Sequence, residues 1–319
     1  MSKHLLITGG AGFIGANFIS HLLNHSDYFI TNVDSLTYAG NDQNIKPFEK
    51  SNRYRFFKCD IGKEQELAAV FDQEYKSIIN FAAESHVDRS IMNAAPFIHT
   101  NIIGTFNLLQ AVLSGKARKM IQISTDEVYG SLKPQDPPFT EETPLAPNNP
   151  YSASKASADL LVRSFHKTHQ LPLIITRCSN NYGPMQHPEK FIPKIITNAL
   201  NNKEIPLYGD GFNIRDWIYV EDHCRAIHMV LEKGVLGEVY NIGGAEEKTN
   251  LEVIRFILKQ LGKDEHLIKH IEDRKGHDRR YAMNSTKISR ELGWKPLVSF
   301  QEGIQKTKEW YKRMQHERR

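Results

Sequence analysis

A short apolar run, Leu5 to Thr8, leads straight into Gly9-Gly10-Ala11-Gly12-Phe13-Ile14-Gly15 and then into a further apolar stretch, and this join constrains the chain more than any other feature. Glycines at 9, 12 and 15 suit a turn from strand to helix. Gly9 permits the tight turn, Gly12 lets a pyrophosphate approach the backbone, and Gly15 lets the helix pack closely on the strand. The free amides and positive dipole at the start of that helix favour an anion. Asp34 follows 19 residues after Gly15, at the end of the next β-rich run, where a carboxylate can hold ribose hydroxyls. The spacing predicts a dinucleotide site containing Gly9, Gly12, Gly15 and Asp34. A carboxylate there repels a 2′-phosphate and no arginine follows it directly, so NAD is expected rather than NADP. Asp60, after a third run, falls where an adenine edge would lie, and reads equally well as a solvated loop acid.

Leu5 to Thr8, Phe29 to Val33, Tyr54 to Lys58, Ser77 to Phe81, Met120 to Ser124 and Leu173 to Cys178 read as strands, with amphipathic helical patterns near 13–25, 63–74 and 97–115 between them. This alternation predicts an α/β fold of Rossmann type, a doubly wound parallel sheet covered by helices on both faces. Ligands then belong at the C-terminal ends of the strands. From Leu132 to Pro150 the chain carries six prolines, which predicts a surface loop ahead of a helix starting near Tyr151. Beyond Cys178 the elements become shorter and mixed, with helices expected near 191–202, 250–261 and 301–314 and strands near 205–208 and 238–242. The expected organisation is an NAD-binding domain over 1–180, with a segment near 218–243 returning to it, and a smaller α+β substrate lobe over 181–319. The chain shows no internal repeat or coiled-coil heptad.

Composition narrows the class. With 40% hydrophobic and 24% charged residues in 319, the chain can build a real core and is too balanced for wholesale disorder. The net charge of +4 is too small to imply a nucleic-acid partner, and the basic tail at Lys312, Arg313, Arg318 and Arg319 accounts for much of it. Cys59, Cys178 and Cys224 are odd in number, far apart, and fit no zinc-ligand spacing; they read as reduced thiols of a cytoplasmic protein. His86 and His277 stand without paired acids at ligand spacing, so no metal is expected. No stretch approaches the roughly 18 apolar residues of a membrane span.

Two further patterns carry chemistry. Tyr151-Ser152-Ala153-Ser154-Lys155 sets a phenol and an amine four residues apart, on one helical face. Bringing a tyrosine from its usual pKa of about 10 to a base near pH 7 requires a shift of about 3 units, and a neighbouring ammonium favours the phenolate. Alone, the same spacing suits an ordinary surface helix. The strand from Met120 ends in Ser124-Thr125-Asp126-Glu127, a hydroxyl and two acids at a sheet's C-terminal end. Such a pair reads either as a solvated turn or as an acid and a base with separated pKa values.

The runs Leu36 to Asn41 (LTYAGN), Ala82 to Ser90 (AAESHVDRS), Ser124 to Gly130 (STDEVYG), Tyr151 to Lys155, Ser179 to Pro184 (SNNYGP), Ile214 to Trp217 (IRDW) and Gly276 to Tyr281 (GHDRRY) resemble the extended short-chain dehydrogenase/reductases, and more narrowly the dTDP-glucose 4,6-dehydratase family, over nearly the whole chain. The resemblance implies a hydro-lyase with tightly bound NAD, acting on dTDP-glucose by oxidation at C4, loss of water across C5 and C6, and hydride return to C6. It gives Tyr151 the 4-hydroxyl proton, with Thr125 and Lys155 tuning the phenol, and makes Glu127 the C5 base and Asp126 the acid at the departing 6-hydroxyl. Around NAD it places Gly9, Gly12, Phe13, Ile14, Gly15, Asp34, Ser35, Leu36, Thr37 and Asn41, then Asp60, Ile61, Ala82, Ala83, Ser85, Thr100, Tyr151, Lys155 and Asn181. Around the nucleotide sugar it places Ser85, Thr125, Asn180, Lys190, Phe191, Pro206, Leu207 and Tyr208, then Arg215, Asn250, Asp273, Arg274, His277 and Asp278. Arg215 also has a reading from chemistry alone, since its fork suits a diphosphate. The resemblance further implies a homodimer through helices beginning near Phe97 and Tyr151, with neither nucleic acid nor membrane as partner. Lys275 stands where the family usually has proline, and the interval from Glu127 to Tyr151 is short. A 4-epimerase or decarboxylase of nucleotide sugars would share the glycine turn and the Tyr/Lys pair, but an epimerase has no use for an acid and a base aimed at C6 and C5. A non-catalytic NAD-binding protein has no need of Tyr151, Lys155 or the acids.

Overall fold

The computed structural model describes residues 3–273 and 276–317. Six apolar runs up to Cys178 form strands β1 (His4–Thr8), β2 (Phe29–Asp34), β3 (Tyr54–Lys58), β4 (Ser77–Asn80), β5 (Met120–Thr125) and β6 (Leu173–Cys178). β4, β5 and β6 are buried at every position rather than at alternate ones, because both faces are covered; Leu5, Leu6 and Ile7 have no exposed surface. With β10 (Val239–Ile242) they make one seven-stranded sheet of order β10-β6-β5-β4-β1-β2-β3, and every neighbouring pair in it is parallel. The order reverses between β1 and β4, which opens a crevice at their C-terminal ends. This is the doubly wound sheet that the alternation predicts.

Several elements differ from the sequence expectation. The helix expected near 63–74 is only Glu64–Ala68, because the chain then turns to bury Val70 and Tyr75 against the sheet. The helix expected over 97–115 contains a π-helical turn, Ile98–Gly104, between Ala95–Phe97 and Thr105–Leu113. Four strands go unread in the sequence: β7 (Asn180–Tyr182), β9 (Ile214–Tyr219), β11 (Glu247–Thr249) and β12 (Ile268–Ile271). They form a three-stranded sheet, β11-β9-β7, and a two-stranded sheet in which β12 pairs with β8 (Ile205–Tyr208). These small sheets pack with helices Phe191–Leu200 and Asn250–Leu261 around a separate core containing Ile196, Leu207, Trp217 and Ile254. The helix Val220–Lys233 packs instead on Phe13–His25, and its buried Ile227 and Val230 belong to the core of the large sheet.

Asp222 joins these regions. Its carboxylate accepts the amides of Leu297 (3.0 Å) and Val298 (2.8 Å) and the Arg225 guanidinium, at 1% exposure. Asp222→Ala strands two amides and a cation, and is expected to lower unfolding stability by about 3 kcal/mol, read from the urea midpoint; a loss under about 0.5 kcal/mol, the range of an ordinary surface change, would remove Asp222 from this role.

Candidate active site

The first turn is built by contact. Gly9 has φ +72°, and a side chain on it would stand 2.5 Å from the Ala82 amide nitrogen; one on Gly15 would strike the Gly9 carbonyl. Both glycines are therefore required by packing. Gly12 differs, because only the Gly9 carbonyl lies within 4 Å of where its side chain would be, and this position borders a cavity of about 300 Å³. Asp34, at the end of β2, accepts the amides of Ala11 (2.9 Å) and Leu36 (2.8 Å). The second bond holds Leu36 at φ +53°, a left-handed backbone uncommon outside glycine. Burial raises the Asp34 pKa, and the two amides pull it back.

Across the crevice, Thr125 ends β5 and caps the short helix Asp126–Tyr129, its hydroxyl accepting the Glu127 amide at 3.3 Å. This turn places two consecutive carboxyls in the cavity. Their surroundings separate them. Burial drives Asp126 well above an ordinary carboxyl pKa, and the charges of Glu127 and Asp216 push the same way. Glu127 is also raised by burial, but Arg215 and Lys190 oppose the rise and the Ser152 hydroxyl donates to it at 3.2 Å. Tyr151 and Lys155 come from the helix Pro150–His169, whose start is well defined: Asn149 caps it by accepting the Ser152 amide at 2.9 Å, and Pro150 occupies the first turn. Tyr151 is buried, which raises its phenol well above the ordinary value, whereas a hydrogen bond with Thr125 draws it down. Lys155 donates to the Ile123 carbonyl at 2.7 Å, and burial lowers its pKa.

A second cavity, of about 460 Å³, adjoins the first through Ser85, Glu127, Asn180, Asn181, Gln186 and Lys190, which line both. Arg215 on β9 borders it in a fixed pose, donating to the carbonyls of Ile214 (2.7 Å) and Asp278 (3.0 Å) and lying 4.3 Å from the centre of the Tyr281 ring. Asp278 in turn accepts from Asn148 and Tyr281, each at 2.6 Å.

Of the residues expected around a dinucleotide, Phe13, Ile14, Ser35 and Thr37 border the first cavity, as do Asp60, Ile61, Ala82, Ala83, Ser85, Thr100 and Asn181. Leu36 and Asn41 do not border it: the Leu36 side chain packs on the sheet core, and Asn41 caps the helix Asp42–Ile45 by accepting the Gln43 amide. Asp60 is committed to the fold, accepting the Gly62 amide at 2.9 Å and meeting His99 at 3.0 Å. Around the second cavity stand Asn180, Lys190, Phe191, Pro206, Tyr208 and Arg215, with Asn250, His277 and Asp278. Thr125 borders the first cavity instead. Strand alternation on β8 turns Leu207 the other way, into the small-lobe core at 0% exposure. Asp273 does not border the cavity but pairs with His277 at 2.6 Å. Arg274 and Lys275 lie outside the described residues. The sequence reading missed Gln186, His187, Glu189, Trp217 and Tyr281 among the residues bordering the two cavities. Glu189 gathers Arg89 (3.3 Å), His86 (3.6 Å) and His187 (3.8 Å), joining two stretches of the chain 100 residues apart. Among the described residues, no group of three or more His, Cys, Asp or Glu side chains is arranged to hold a metal ion, and no helix is long and apolar enough to cross a membrane.

Sheet order, glycine turn and a buried Tyr/Lys pair together define the extended short-chain dehydrogenase/reductase class. Residues 6–307 match the model of the family described as GDP-mannose 4,6 dehydratase, and the chain belongs to this family. It is 52% identical to the low-salt glycan biosynthesis protein Agl12 of Haloferax volcanii, over 96% of this chain and 98% of that one. The crystal structure of a dTDP-glucose 4,6-dehydratase from Bacillus anthracis in complex with NAD superposes with a TM-score of 0.91 at 50% identity, covering 98% and 97% of the two chains. DesIV, a dTDP-glucose 4,6-dehydratase of Streptomyces venezuelae with NAD and a dTDP ligand bound, gives 0.94 at 47%, covering 98% of each.

Beside the acid pair lies a third buried carboxyl. Asp216 is 1% exposed, and burial pushes it up to about 7 against the pull of the Glu246 amide. Between pH 4 and 7 the folded state therefore holds a proton that the unfolded chain has lost, and stability falls as pH rises through this window. Thermal melts at pH 4 to 8 should show a shallower fall for Asp216→Asn than for the native chain; parallel curves would mean that Asp216 titrates normally.

Proposed function

We propose that the chain is a dTDP-glucose 4,6-dehydratase, converting dTDP-glucose to dTDP-4-dehydro-6-deoxy-D-glucose with NAD retained on the protein. The observation that carries this reading is the pair Asp126 and Glu127, consecutive carboxyls in unequal electrostatic surroundings that share one cavity with Tyr151 and Lys155. The first cavity fits the cofactor: Gly12 opens onto it, and Asp34 stands on its border with both oxygens anchored by amides. The glycine turn would hold the pyrophosphate and Asp34 the ribose hydroxyls. NAD, when bound, accepts hydride from C4, returns it to C6, and adds positive charge beside Tyr151.

The chain's own residues move the protons. Tyr151 takes the proton of the 4-hydroxyl as C4 becomes a ketone. Burial opposes this by raising the phenol and the Thr125 hydrogen bond draws it down; a charged Lys155, four residues on, would add to that pull. The ketone acidifies C5, whose proton goes to Glu127, kept nearer ionisation by Arg215 and Lys190. As the C6–O bond breaks, Asp126, the more strongly raised acid, gives its proton to the departing hydroxyl and water leaves. Glu127 then returns a proton to C5. Lys190 and Arg215 border the second cavity and would bind the diphosphate there. The large-sheet part of the chain, 1–180 with the 218–243 segment, is proposed as the cofactor domain, and 181–319 as the nucleotide-sugar lobe.

Purified protein given dTDP-glucose in deuterated water without added NAD should yield a product lighter by one water and labelled at C5. Glu127→Gln should lose the C5 label and slow turnover by about 10²- to 10⁴-fold, and Tyr151→Phe should block oxidation at C4. Normal turnover by both variants would refute the mechanism. We further propose a cytoplasmic homodimer. Met92, Ile98, Ile103, Phe106 and Leu160 are exposed on helical segments that pack side by side, and a second copy would cover them in a four-helix contact. Leu160→Glu should then sediment as a monomer; an unchanged sedimentation coefficient excludes this face.

A further inference from the structure

Tyr151, Lys155 and Asp159 follow one another at intervals of four on the helix Pro150–His169, along a single face. All three are buried, Asp159 most completely, at 1% exposure. Opposite Asp159, on β6, stands Arg177, also buried. Its Nε donates to Asp159 Oδ2 at 2.8 Å, and an Nη donates to the Tyr129 hydroxyl at 2.8 Å. The Tyr129 hydroxyl donates onward to Asn241 Oδ1 at 2.8 Å, and the guanidinium carbon lies 4.8 Å from the centre of the Tyr129 ring. The arrangement alternates phenol, ammonium, carboxylate and guanidinium from the cavity into the core.

Two observations set this pair apart from a packing ion pair. Asp159 Oδ1 is buried with no hydrogen-bond partner, an incomplete solvation that a purely structural carboxylate has no reason to keep. Its neighbour one turn back is the buried amine that the proposed reaction requires in the charged form. Lys155 bonds directly to the Ile123 carbonyl, so Asp159 acts on it through the field. Resting on the dehydratase reading above, we propose that Asp159, held in place by Arg177, is a positioning residue whose negative charge keeps Lys155 cationic beside Tyr151.

Tyr151, Asp126, Glu127 and Cys178 border the first cavity together with Lys155, Asp159 follows it by four residues on the same helix, and Arg177 pairs with Asp159. Burial lowers Lys155, and Asp159 is the leading charge opposing that fall, followed by Cys178. Removing the Asp159 charge must then let Lys155 deprotonate at lower pH, while a stranded Arg177 adds repulsion in the same direction.

The test is kcat and KM for dTDP-glucose from pH 6 to 10 in the native enzyme, Asp159→Asn, and the double variant Asp159→Asn/Arg177→Met, with melting temperatures alongside. In Asp159→Asn the alkaline limb of kcat should move about 1 unit towards acid, with KM within about 2-fold, since Asp159 lies beyond the substrate's reach. The double variant has no stranded guanidinium, so it should recover melting temperature and keep only the part of the displacement owed to the lost carboxylate; it also carries the test if the single variant fails to fold. A limb that returns to the native position in the double variant, or never moves in the single one, makes the pair structural and overturns the inference. No dehydration by the native enzyme would instead bring down the reading beneath it.

Discussion

Gly9 passes so close to the backbone at Phe81 and Ala82 that no side chain fits between them, and the rest of the site is referred to this approach. It joins the end of β1 to the chain leaving β4, the two strands between which the sheet order reverses. Parallel strands diverge in their connections at such a point, and the crevice between those connections becomes the cavity. Asp34 completes the wall by tying the glycine turn to the chain after β2 through two amides. These contacts involve backbone or short, buried side chains, so the cavity is shaped by elements with little freedom to move.

Burial governs the chemistry on the other wall. Asp126, Glu127, Tyr151 and Lys155 are each shifted first by desolvation and only then by neighbours. Desolvation favours the neutral form of every group, so charge survives only where a partner opposes it. Arg215 and Lys190 do this for Glu127, whereas Asp126 has the additional negative neighbour Asp216. Two adjacent acids with the same intrinsic chemistry are thereby driven apart, as the proposed donor and acceptor of protons would need to be. Capping by Thr125 and Asn149 anchors the starts of both segments that carry these groups.

Much of the large sheet was legible because its signals are local. Leu5 to Ile7 are apolar without interruption, Met120 to Ile123 are broken only by Gln122, and turn or helix patterns bound both runs. The glycine turn and Asp34 show themselves by spacing. Strands β7, β11 and β12 were not legible because they are three or four residues long, and β9 because Arg215 and Asp216 interrupt its apolar pattern. The π-helical turn within 97–115 leaves the apolar pattern almost unchanged, so periodicity does not report it. In the site, Leu207 shows the difference between position and direction: its neighbours Pro206 and Tyr208 border the second cavity while it faces the core. Gln186 and Glu189 carry no motif spacing of their own, and Tyr281 closes a motif without a site role being read from it. They become site residues only when their loops meet the crevice.

By itself, the sequence determined the doubly wound architecture, the anion-binding turn, and which residue types stand at the ends of β2 and β5, because each depends on periodicity or spacing within a few dozen residues. Tertiary structure decided the electrostatic identity of those residues. Whether Asp126 and Glu127 differ, whether Lys155 holds its charge, and which way Arg215 points all depend on groups brought from β6, β9 and the chain around Asp278. Field and desolvation depend on distance in space and on exclusion of water, and a linear sequence contains neither until the chain has folded.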